Sequence, residues 1–403
     1  MEDLLAVGLF LILACGVMTA WIEDPWAFYV LWSLIFGLGG VWAAARTIAP
    51  KPVRFTVPTV LLCGVACWGG LQLLSGSTVN RWETMNDALM WAANAVVYFV
   101  ALQLFSATSR RERFLRWLLY GGVTLAVEAL LQLYTADRRV FWVFRFLDQR
   151  KVVMGPVPYH NHYAAIIALV LPVAAYSACR NAKSLLFQGW MVGLLAGSVF
   201  ASESRSGSAL VLLELIVLCV FVGESRKPKV RLAIGAVILV FVALGAAIGG
   251  WERLWVRLHD SDNTRIVASI TSLEMIRRGP IAGYGLGTWP TVYPMFAHFD
   301  DGLFMNQAHN DWLQWAVEGG WPLAMLLACL AARISVPALR SGWGFGIPAV
   351  LLLCSVDFPL QKPAVSILLF ALAGAAETAG RVAPPQPRVL NHVGSSRRMI
   401  SKA

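Results

Sequence analysis

The sequence predicts an all-α integral membrane protein of about 12 transmembrane helices with one large outer loop. Three observations predict it. The 403 residues are 58% hydrophobic and only 14% charged. The mean hydropathy of +0.63 exceeds what a polar-surfaced soluble domain carries. Apolar runs of roughly 17 to 25 residues, each long enough to cross a ~30 Å hydrocarbon core as a helix, recur along the whole chain.

The elements follow in order. Met1-Glu2-Asp3 runs straight into apolar sequence without the basic segment of a cleaved signal peptide, so the first helix is expected to be retained. The spans are read at about 4–20, 26–45, 57–75, 87–105, 114–134, 163–179, 184–201, 207–223, 231–250, 312–332, 344–358 and 363–379. Residues 1–250 then form a first bundle of nine helices, 251–311 the large loop with surface helices, and 312–379 helices ten to twelve. Residues 380–403, with Pro384-Pro385-Gln386-Pro387 and a Ser and Arg cluster, form a disordered tail.

Charge orients this arrangement. With a cytoplasmic amino terminus, the inner segments and the tail hold 20 of the 33 Lys and Arg residues. Ten of the others fall in the long outer segments 135–162 and 251–311, which the charge rule constrains weakly, and the short outer loops keep Arg81, Arg205 and Lys362. Both termini are therefore expected in the cytoplasm. The net charge of +10 is distributed as a topology signal and forms no basic face for nucleic acid. The seven cysteines lie in or beside apolar runs, without disulfide or zinc spacing.

Three polar clusters reach the same outer face on this topology: Tyr159-His160-Asn161-His162-Tyr163, Ser202 to Gly207 around Arg205, and the large loop ending at His309-Asn310-Asp311. Arg205 stands where one span ends and the next begins, so its charge needs an anionic partner: Glu203, a lipid headgroup or a phosphate ligand. Arg265 opens a stretch with apolar residues at helical spacing, ending at Arg277-Arg278-Gly279-Pro280, which reads as a surface helix. Gly283-Tyr284-Gly285-Leu286-Gly287 follows no strand and reads as a tight turn rather than a nucleotide loop. His309 precedes a run that re-enters the membrane, where it is either a helix cap or a partly buried base. Asp260-Ser261-Asp262 is a metal pair or, better, a solvated turn. His160 and His162, spaced i, i+2, make a poor metal pair and are read as lining a donor or acceptor cleft.

Together Asn161-His162-Tyr163-Ala164-Ala165, Ser204-Arg205-Ser206-Gly207, Arg265 through Gly279-Pro280 to Gly287, and His309-Asn310 with Glu318-Gly319-Gly320 resemble the O-antigen ligase and polymerase superfamily, mainly over residues 155–325. The resemblance implies a polytopic GT-C-like helical fold in the bacterial inner membrane, with the large loop and active site facing the periplasm. It also implies a glycosyltransferase that takes glycan from an undecaprenyl-pyrophosphate donor, with no metal and no cofactor. Arg205 and Arg265 would engage the pyrophosphate and His309 would activate the acceptor hydroxyl. Tyr159, Asn161, His162, Arg277, Asn310 and Glu318 are the expected substrate-binding residues. The acceptor is lipid A core for a ligase of lipopolysaccharide biosynthesis, or another lipid-linked glycan for an O-antigen or exopolysaccharide chain polymerase.

A flippase or exporter of the same glycan would instead line the mid-membrane with polar groups, and Glu128, Glu214 and Glu377 are the carboxylates nearest span interiors or ends. Each is expected to be bonded between helices or to sit near an interface. The two halves show no transporter-like symmetry.

Overall fold

The computed structural model describes residues 1–137, 139–145, 154–180, 185–221, 264–297 and 304–379, with six isolated positions between 235 and 247. Most of the expected span at 231–250, the Asp260-Ser261-Asp262 segment, Arg138, Arg150 and the tail fall outside the described residues.

Helices α1 (Glu2–Met18), α2 (Pro25–Ile48), α3 (Val57–Ser75), α4 (Arg81–Leu104) and α5 (Thr108–Thr135) come first. Local signals set their ends. Pro occupies the first turn of α2 and α3, where its missing N–H costs nothing. Gly76 closes α3 at φ +69°, and the Asn80 side chain accepts from Trp82 N and Glu83 N to cap α4. A two-residue antiparallel ribbon, β1 (Arg139–Val140) with β2 (Phe144–Arg145), and an isolated bridge between Met154 and Val157 interrupt the helices. Then come α6 (His160–Arg180), α7 (Leu185–Ala201), α8 (Arg205–Phe221), α9 (Thr264–Arg278) and the short α10 (Trp289–Val292). The chain continues through α11 (Asp311–Ser341), α12 (Gly346–Leu353) and α13 (Pro363–Ala379).

Among the described residues, six helices (α2 to α6 and α11) are long and apolar enough to cross a membrane. Four more, α1, α7, α8 and α13, have 17 residues, about the lower limit for a span. Helix α13 is buried all round, and α6 is buried from Asn161 to Ala175, so these two form the centre. The most apolar stretches of α2 and α11 are only 28% buried inside the protein, leaving broad apolar faces outward.

The expected span at 344–358 is corrected: α12 has eight residues, rising about 12 Å, too short to cross a bilayer. The chain leaves helical geometry before Asp357 and Pro359, and residues 354–362 fold back over the start of α11. Asp311 N donates to Cys354 O at 2.9 Å and to Asp357 O at 3.2 Å, while Leu360 N donates to Asp311 Oδ2 at 3.1 Å.

The expected surface helix is α9. It buries Ala268, Thr271, Ser272 and Met275 at helical spacing and leaves Ile266, Ile270 and Leu273 exposed. Trp289 Nε1 donates to Ser272 Oγ at 3.0 Å and fixes it to the segment that follows. The glycine stretch is a turn, and α11 bends to receive it. Gly320 leaves helical geometry at φ +66° and ψ −169°, releasing carbonyls that accept from Tyr284 N (Val317 O, 3.2 Å) and Gly285 N (Glu318 O, 2.8 Å). A Cβ on Gly320 would collide with Ile281 O.

The two ends of the bundle differ in charge. At one end Glu2 pairs with Arg46 (3.0 Å), Lys51 (3.0 Å) and Arg110 (2.8 Å), and Asp3 with Arg113 (3.4 Å). There, too, Arg111 reaches Thr378 near the end of α13. The opposite ends of α1 and α13, about 25 Å away along the helices, border a cavity with Tyr159, His162 and His309.

Candidate active site

Asp357 organises that second end. It is 0% exposed, and Asn161 Nδ2 donates to its Oδ2. Asn161 Oδ1 in turn accepts from Ser204 Oγ at 2.6 Å, the residue immediately before Arg205. Arg265 Nη2 lies 3.7 Å from Asp357 Oδ2, and His309 Nδ1 lies 3.9 Å from Oδ1. One carboxylate thus joins α6, the start of α8, α9 and the approach to α11.

Burial pushes the Asp357 carboxyl up, but the imidazole of His309 and the Arg265 guanidinium outweigh it and hold the group below its ordinary value of 3.8. The site therefore carries a fixed negative charge facing an arginine and a histidine. Arg265 also donates from Nη1 to Val356 O at 3.2 Å and from Nη2 to Tyr159 OH at 3.4 Å. Burial is the main cause that raises the Tyr159 phenol above its usual range, so it stays protonated.

His309 adopts φ +52°, a left-handed conformation that a non-glycine residue takes at a cost of about 1–3 kcal/mol. Glu203, two residues before Arg205, does the same at φ +60°. Such backbones persist where neighbours over-determine them. Here Asn310 caps α11 by accepting from Leu313 N (3.1 Å) and donates from Nδ2 to Ser355 O (2.8 Å). The capping role open to His309 thus belongs to Asn310. The His309 ring meets the Phe358 ring edge-on at 5.0 Å, His162 meets it at 4.8 Å, and Tyr159 stacks on it at 5.5 Å.

Of the residues expected from sequence, Tyr159, Asn161, Arg265 and His309 converge on Asp357, and His162 packs against its neighbour Phe358. Arg205 begins α8, half-buried, one residue from the Ser204 link. Arg277 is on the exposed side of α9 and is not joined to this group. Glu318 is fully buried, and Oε1 accepts from Gln314 Nε2 (3.0 Å) and Trp289 N (3.3 Å), a position that braces the turn and α10. Of the two settings expected for Glu128 and Glu214, a bond between helices is not found: their carboxylate oxygens are buried without a hydrogen bond among the described residues. Sequence reading missed Asp357, although an ionisable residue within an apolar run is a functional signal by itself.

Beside the network lies a cavity of about 320 Å³, bordered by the α1–α2 turn, Tyr159, His162, His309, Phe358 and the start of α13.

No curated protein matches the chain. Residues 190–328, which include Arg205, Arg265 and His309, match the family described as O-antigen ligase. Asp357, Tyr159, Asn161 and His162 lie outside the matched residues. This match, over about a third of the chain, supports a place in the O-antigen ligase and polymerase superfamily.

Proposed function

We propose that the protein is an inverting, metal-independent glycosyltransferase that moves a glycan from undecaprenyl pyrophosphate onto a hydroxyl of lipid A core at the periplasmic face of the inner membrane. The observation that carries this reading is the convergence of Arg265, His309 and the Asn161–Ser204 link on Asp357, next to Arg205. The site sits at the end of the bundle opposite Arg46, Lys51, Arg110 and Arg113, which supports an outward-facing site under the positive-inside rule.

The acceptor hydroxyl oxygen attacks the anomeric carbon and forms the new glycosidic bond. The bond from that carbon to the pyrophosphate oxygen breaks, and its electron pair leaves with undecaprenyl pyrophosphate. His309 takes the hydroxyl proton, and Asp357 stabilises the imidazolium that results, as the buried carboxylate of a catalytic triad does. Arg265 and Arg205 present planar forks to the departing pyrophosphate and stay charged throughout. A single displacement inverts the configuration.

The test is transfer by purified protein with lipid-linked glycan and lipid A core, chelator present, for wild type and Arg205→Ala, Arg265→Ala and His309→Ala. Transfer by wild type and its loss in folded variants support the reading. Lengthening of the donor glycan instead makes the protein a chain polymerase. Absence of both reactions overturns the transferase assignment and brings a lipid-linked glycan flippase forward.

A further inference from the structure

We infer that the cavity beside His309 is the acceptor pocket, that it takes a neutral sugar unit carried on an apolar anchor, and that His162 is its hydrogen-bonding floor. The inference rests on the proposed transferase reading and assigns the second substrate of that site.

Four observations carry it. The first is charge. Neither Arg205 nor Arg265 borders the cavity, so the groups suited to pyrophosphate stand on the Asp357 side of His309. The cavity's own charged borders, Glu23 and Lys362, are of opposite sign and suit a neutral ligand better than an anion.

The second is a buried, unspent hydrogen-bonding group. His162 is 4% exposed, borders the cavity, and its Nε2 has no hydrogen-bond partner among the described residues. A buried ring nitrogen left in this state costs free energy, and a small rotation of the ring toward the cavity would let a sugar hydroxyl, which both donates and accepts, meet it.

The third is shape. Tyr159, His162, His309 and Phe358 gather their rings on one side of the cavity, while Gly16, Ala27 and Leu31 of α1 and α2 and Val365 of α13 add apolar lining. An acceptor with its sugar at the rings and its lipid part along the apolar lining fits this polarity. The volume of about 320 Å³ is at the small end of ligand pockets and suits one sugar unit better than an oligosaccharide.

The fourth is stereochemistry. In a single displacement the attacking oxygen and the leaving oxygen lie on opposite sides of the carbon. With the leaving pyrophosphate at the arginines, the acceptor must approach from the other side of His309, and the cavity is the space there.

The experiment separates the two substrates. In nanodiscs free of glycoside detergent, donor and acceptor are titrated independently for wild type and for Ala20→Phe and Ala27→Leu, which fill the cavity from two walls, and for His162→Phe, which keeps a ring without its nitrogens. Melting of each variant is measured alongside. The expected result is an acceptor KM raised about tenfold or more with a donor KM within about twofold of wild type. A raised donor KM with an unchanged acceptor KM, or no change in either for folded variants, overturns the inference.

Binding of radiolabelled octyl β-glucoside below its micellar concentration gives a readout independent of transfer. Wild type should hold saturable label that Ala20→Phe lacks. If wild type transfers no glycan yet shows this difference, the transferase reading fails while the sugar pocket stands. Equal binding in both proteins removes the pocket.

Discussion

Asp357 Oδ1 and His309 Nδ1 face each other at 3.9 Å, across the gap between the 354–362 loop and the start of α11. That distance is too long for a hydrogen bond but short enough for charge to act. Proton gain at His309 would draw the pair together, so the arrangement favours the histidine as a base that charges during reaction. Asp357→Asn keeps the shape and removes the charge. Its turnover is expected to fall by about 10²–10⁴ with acceptor and donor KM little changed, measured by initial rates under saturating substrates. Turnover within threefold of wild type would remove Asp357 from the mechanism.

The same pair makes a pH prediction. The folded carboxyl of Asp357 lies below its ordinary value of 3.8, so its ionised form stabilises the fold. That contribution is fully present above the unfolded value and is lost as pH falls through the depressed folded value. The difference in melting temperature between wild type and Asp357→Asn should therefore shrink as pH falls below about 4. A difference that stays constant through that range would mean that the Asp357 charge does not stabilise the fold.

Arg265 serves three acceptors at once: Val356 O, Tyr159 OH and the Asp357 carboxylate. A lysine ammonium on a flexible stem cannot span them while also meeting a pyrophosphate. Arg265→Lys should lose most of the activity that Arg265→Ala loses, with donor KM rising by about tenfold or more. Rescue to near wild-type donor KM by lysine would show that point charge alone suffices.

Much of the fold was legible because apolar length is a strong local signal. The spans read at 57–75 and 363–379 are α3 and α13 as found, and the stretch from Arg265 is the surface helix α9. The reading at 344–358 failed because hydropathy averaged over Asp357 and could not see that α12 ends after eight residues. The site was half legible for the same reason. His309 and Asn161 stood in polar clusters at span ends and Arg265 opened the surface-helix stretch, whereas Asp357 sat alone inside an apolar run. Its partners lie 48, 92 and 196 positions away in sequence, a separation that no local pattern encodes. Glu318 and Gly320, read with the substrate side of the site and its motif, hold the Gly283–Gly287 turn against α11.

That last relationship gives a structural prediction that leaves the chemistry aside. Gly320 combines φ +66° with a backbone neighbour, Ile281 O, where a Cβ would stand, so alanine meets both conformational strain and a clash that no side-chain rotation relieves. Gly40 is a control: a Cβ there meets nothing within 4 Å, and alanine in a helix interior is favourable by about 1 kcal/mol. Gly320→Ala should lower the melting temperature in detergent and reduce transfer through a displaced His309, while Gly40→Ala leaves both unchanged or slightly raised. Chymotryptic cleavage at Tyr284, half-buried in the wild type, would report whether the turn has detached from α11. If Gly320→Ala melts with wild type and resists cleavage equally, α11 is straight at this point and the docking of the turn needs another cause.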